Sequence, residues 1–144
     1  MAISWVKFND FTEQLSKGIH NFGSHTFKLA LTNSAPSAAN TILSDITQIA
    51  AGNGYTTGGA TMTVTCTESA GTTTVGVNAV TFTAAGGAIA TFRYAVAYND
   101  SATSPLDALI AYTDYGSGVS LADGQSITFN FNNDATDGTW FTVA

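Results

Sequence analysis

The chain has 144 residues, of which only 10% are charged, with 4 Lys and Arg against 10 Asp and Glu for a net charge of −6. Clustered cations able to grip phosphates are absent, so nucleic-acid binding is disfavoured, and no window reaches about 18 apolar residues, so no membrane-spanning helix is expected. A β-rich chain with solvent faces made neutral by Thr and Ser is the expectation, and a surface this poor in charge suits a protein packed against copies or partners, since soluble domains usually carry about 25% charged residues.

The first segment differs from the rest. Ile3 and Trp5 alternate with polar neighbours as in a short extended piece, and the start, MAISWVKFNDF, lacks the pattern of a cleaved signal peptide. Phe8, Phe11, Leu15 and Ile19 then follow helical spacing, with Asp10 and Glu13 placed for a capping box and Gly18 near the end. Residues 1–23 therefore read as an arm and helix attached to a β-structure over residues 24–144. The arm either packs on its own sheet or reaches a neighbouring subunit, and Trp5, Phe8 and Phe11, with Lys7 and Lys17 nearby, are its candidate contact residues.

After Gly23 the period changes from 3.6 to 2. Phe27, Leu29 and Leu31 alternate in a strand that stops at Asn33 to Pro36, and Asn40 to Ala51 reads as a short second helix with Ile42, Leu43, Ile46 and Ile49 on one side. The Asn53-Gly54 and Gly58-Gly59 pairs let the backbone take positive φ. Met62, Val64 and Cys66 alternate as one strand, with Cys66, the single cysteine, read as a buried inert thiol made in a reducing cytoplasm. Val75 and Val77 are odd whereas Val80 and Phe82 are even, which implies a bulge near Asn78-Ala79 or a turn between two strands.

Phe92, Tyr94, Val96 and Tyr98 make the clearest strand. Arg93 points the other way, either into solvent or as an interface fork to a carboxylate on a neighbour. Strands are further expected over Ala108 to Tyr115, Ser126 to Phe131 and Thr139 to Val143. In the first of these Tyr112 reads as core and Tyr115, beside a flexible Gly-Ser-Gly turn, as an exposed contact; the last two pair as a hairpin through Asp137-Gly138. Seven or eight short strands with turns rich in Gly, Asn and Asp argue for a mainly β, single-domain antiparallel β-sandwich or barrel-like fold with an N-terminal helix and a short second helix.

Chemistry is sparse. His20 and His25, five apart, match no common zinc spacing and read as partly exposed, no serine lies in a G-x-S-x-G elbow, and no two carboxylates are marked as a pair. Asn132, Asn133, Asp134 and Asp137 offer oxygens to an ion but lack the EF-hand spacing, and hairpin loops collect such residues for backbone reasons. No cofactor, metal or enzymatic activity is expected.

The stretches ITQIAAGNGYTTGG (Ile46 to Gly59), TFRYAVAYND (Thr91 to Asp100) and AYTDYG (Ala111 to Gly116), with KLALTNSAP (Lys28 to Pro36) upstream, resemble a family of small virion structural proteins of tailed bacteriophages. The resemblance covers most of the chain. It implies a virion component assembled in the host cytoplasm: a head decoration or cement subunit bound to the major capsid protein as a homo-oligomer, a trimer favoured, or a tail-associated or fibre-type module that binds a glycan or host surface.

Overall fold

Phe27, Leu29 and Leu31 form one face of strand β2 (Phe27–Thr32), where each is fully buried. The computed structural model describes residues 4–131 and 138–144. Around β2 a five-stranded antiparallel sheet assembles from β1 (Trp5–Lys7), β3 (Ala60–Met62), β7 (Ile89–Asn99) and β8 (Leu109–Leu121), in the order β1-β8-β7-β2-β3. Facing it are a three-stranded sheet of β4 (Val64–Ser69), β5 (Thr72–Val77) and β10 (Thr139–Val143), and a two-stranded sheet of β6 (Val80–Thr83) and β9 (Ser126–Phe129). The fold is mainly β and sandwich-like, not a closed barrel.

The centre of the five-stranded sheet is buried on both faces. Its inner face packs Phe27, Leu29, Leu31, Phe92, Ala95 and Ala97 against Val75, Val77, Phe82 and Phe129 of the facing sheets. Its outer face carries a second cluster of Phe8, Ala30, Ile46, Val96, Tyr98 and Leu109. Double coverage is why Ala95 to Asn99 are buried without interruption, where a half-exposed strand would alternate.

Bulges re-aim residues that simple alternation misplaces. Between the pairs Phe92↔Val119 and Tyr94↔Asp114, Arg93 alone stands opposite Tyr115 to Gly118, so Phe92 joins the inner core with Ala95 while Val96 and Tyr98 face outwards. The expectation of one face for Phe92, Tyr94, Val96 and Tyr98 is corrected accordingly, and Gly116-Ser117-Gly118 is a bulge inside β8 and not a turn. Ile110 is the extra residue between Ala97↔Ala111 and Tyr98↔Leu109, which sends it to the inner core and half-buried Tyr112 to the outer cluster.

Further expectations are corrected. The helix α1 spans only Phe11–Ser16, and its Asp10 carboxylate accepts from the Gln14 side chain and not from a capping backbone N–H, while Glu13 pairs with Lys17. The second helix reduces to one 3-10 turn, Leu43–Asp45. Thr41, Ser44 and Thr47 with three β-branched isoleucines are weak helix formers, and the Asp45 carboxylate accepts from the backbone N–H groups of Thr41 and Ile42 at 2.9 and 3.3 Å, which favours a turn. Cys66 belongs to edge strand β4 and is exposed, so its thiol is not buried. The parity switch after Val77 separates two strands of different sheets. β9 pairs with β6 and β10 with β5, so no C-terminal hairpin forms between them, although Phe129 is deeply buried. The Asn132 to Asp137 loop lies outside the described residues.

The glycine turns are as the sequence implies. Asn53, Gly54, Gly58 and Gly59 all have positive φ, and a Cβ on Gly59 would lie 1.9 Å from the Leu29 carbonyl oxygen.

Candidate functional site

The arm folds back onto its own sheet. β1 pairs antiparallel with Ala111 to Thr113 of β8, and the Thr113 hydroxyl donates to the Ser4 carbonyl at 2.8 Å. Phe8 is fully buried, its ring 5.1 Å from that of Tyr112, and Phe11 is buried against His20, Phe22 and Phe141. Neither ring is free to anchor a partner, because each already fills the chain's own core. Trp5 is half-buried, stacked on Phe131 at 4.8 Å and edge-on to Trp140 at 5.7 Å.

Arg93 does form a fork, but within the chain. Its Nε and Nη2 donate to the two carboxylate oxygens of Asp114 at 2.8 and 2.9 Å, with the guanidinium 5.4 Å from the Tyr94 ring centre. The Asp114 carboxyl is held below its ordinary range, by Arg93 first and the Gly116 N–H second. Sequence reading missed Asp114 as the partner. Its only signal was its place in the AYTDYG motif, since strand pairing across 21 residues is not a local pattern. Tyr115, next in the chain, is exposed as expected.

The arm and the last strand enclose a cleft of about 350 Å³ between α1, β1 and β10, walled by Trp5, Leu15, Trp140, Phe141 and Val143, with Lys7 on its lining. Lys7 stands apart electrostatically. Lys17 pairs with Glu13, Lys28 with Asp100 at 3.1 Å and Arg93 with Asp114, which leaves Lys7 as the one cation without a carboxylate partner among the described residues. The Trp5 indole Nε1 is buried and likewise lacks a hydrogen-bond partner there.

The two histidines meet, although not at the surface as the sequence suggested for both. Asn99, fully buried on β7, brings its amide nitrogen within 3.3 Å of His20 Nδ1 and 3.1 Å of His25 Nδ1, and donates to the Ile19 carbonyl at 3.0 Å. His20 is buried, and desolvation lowers its pKa to about 4 against a smaller opposing pull from Asp10. It is therefore neutral near pH 7, and the arrangement is a structural clamp joining the loop after α1 to β7. Among the described residues no three His, Cys, Asp or Glu side chains lie together as a metal site.

The residues of the glycine-rich stretch are committed to architecture. Gln48 Oε1 accepts from the Tyr55 hydroxyl at 2.8 Å and the Gly58 N–H at 2.7 Å, while Tyr55 Oη accepts from the Leu31 N–H at 3.1 Å. Compared with protein-family models, curated proteins and solved structures, the chain matches none.

Proposed function

We propose that the protein is a structural component of a tailed-bacteriophage virion, a β-sandwich decoration or cement subunit that binds the major capsid protein in symmetric copies and stabilises the head. It acts without cofactor or catalysis. The observation that supports this reading most is where the residues of the resemblance lie. Gln48, Gly58 and Gly59 of the first stretch and Tyr98 of the second build the junction of loop, β2 and β7, so the shared pattern is a pattern of architecture and not of a reaction centre. The low charge agrees with a life spent in contact with other subunits, and binding to the assembled lattice stabilises it by mass action.

A second reading, a tail-associated or fibre-type binding module, draws on one feature. Tyr115 is 39% exposed on the β8 bulge beside the Arg93–Asp114 pair, an aromatic face next to charged hydrogen-bonding groups. Addition of purified protein to heads that lack it separates the two. A decoration subunit cosediments with heads and raises their disruption temperature; a protein that leaves the heads bare and unchanged does not act there.

A further inference from the structure

The cleft beside Lys7 has an apolar wall, one unpaired cation and room for a side chain, and the chain itself carries a matching projection. Leu106 is 61% exposed, the most exposed of the large apolar side chains among the described residues, and Asp107 follows it. Asp107, part-buried and within the field of Asp100 and Lys28, makes no ion pair within 4 Å among those residues, and neither does Lys7. The loop that presents Leu106 is braced. The Asp107 N–H donates to the Ala102 carbonyl at 3.0 Å, the Leu43 N–H donates to the Asp107 carbonyl at 3.1 Å, and Thr103 and Leu106 bridge. A projection fixed in this way loses little freedom when it docks.

We propose that Leu106 of one copy inserts into the cleft of the next, with Asp107 drawn to Lys7. The occupant is a second copy because both halves of the contact are present in this chain. An apolar knob meets an aromatic and aliphatic hollow, and a loop carboxylate meets the one cation that no carboxylate neutralises among the described residues of an acidic protein. Knob and cleft are different patches, so the contact is head-to-tail and repeats until it closes into a ring. A symmetric trimer is such a ring. The contact would join copies in the virion reading, but it is measured without particles, so either can fail alone.

The test is sedimentation velocity on the purified full chain. The wild type is expected to associate, and Leu106→Asp and Lys7→Glu each to sediment as monomers with melting temperatures near that of the wild type. Should Lys7→Glu fail to fold, Thr142→Arg on the exposed rim of the same cleft blocks it instead. Each variant keeps one half of the contact, so an equimolar mixture of a knob variant and a cleft variant is expected to form pairs that grow no further. A monomeric wild type overturns the proposal. So do variants that associate as the wild type does, or a mixture that remains monomeric, which would leave the cleft to another protein.

Discussion

The Tyr98 hydroxyl donates a 2.7 Å hydrogen bond to the carbonyl oxygen of Gly58. It ties the outer face of β7 to the glycine turn before β3, and so joins two of the sequence stretches on which the family resemblance rests. Tyr98 is 1% exposed, and its pKa is pushed up to a value beyond the ordinary phenol range, mainly by desolvation, so the hydroxyl remains a donor at all working pH values. Tyr98→Phe is expected to lower stability by about 1–2 kcal/mol, the cost of leaving a shielded carbonyl without its partner. Chemical denaturation checks this, and an unchanged midpoint would mean that water replaces the hydroxyl.

Two glycines with similar φ should respond differently to alanine. Gly59 has φ +80° and its added Cβ would collide with the Leu29 carbonyl, whereas Gly86 has φ +82° with nothing within 4 Å. Gly86→Ala is expected to cost about 1 kcal/mol from backbone conformation alone. Gly59→Ala must also separate the backbone from β2 and should abolish soluble expression or lower the melting temperature by about 10 °C or more, given about 2–4 °C per kcal/mol for a domain of about 150 residues. Equal melting temperatures would contradict the close approach.

Gly59 was legible in the sequence because positive φ is a local demand met by few residues. The strands β2 and β7 were legible for a similar reason. What escaped reading is non-local: the pairing of β9 with β6 and of β10 with β5 depends on which sheet each strand joins, and Asp137-Gly138 between apolar runs carries no information about that. The segment Asn40 to Ala51 has helical apolar spacing, yet Ile46 joins the outer cluster and Ile49 the inner one, since the chain there wraps an edge of the sheet. At the cleft, Trp5 and Lys7 lie two apart on the arm, whereas Trp140 and Phe141 come from the far end of the chain and only the fold brings them together.

Burial of His20 makes stability depend on pH. Its pKa falls from the ordinary 6.5 to about 4 in the folded protein, so the unfolded chain binds the extra proton first. Stability is expected to be highest above pH 6.5 and to fall as the pH drops through the window to 4, with a limit of about 3 kcal/mol from this group. His20→Phe should remove that part of the slope, which urea midpoints at pH 7 and 4.5 would show. Identical slopes in variant and wild type would contradict the assignment.

Phe129→Ala is expected to cost about 3–5 kcal/mol. The ring is 2% exposed and sits 6.1 Å from Phe82 and 6.4 Å from Phe92, so its removal leaves a cavity between the two layers. A melting temperature lowered by only a degree or two would contradict this packing.

Cys66 should react with a maleimide in the folded protein, to one label per chain and without denaturant. Its exposure on edge strand β4 requires it. A thiol that reacts only on unfolding would contradict the strand's placement.

The central claim is that this chain is built into a virion, and negative-stain images of phage particles bound by an antibody to the protein test it most directly. The account predicts label distributed over the head in the symmetry of its lattice. Label confined to the tail would favour the fibre-type reading, and intact particles that carry no label, with the protein found only free in the lysate, would contradict the claim.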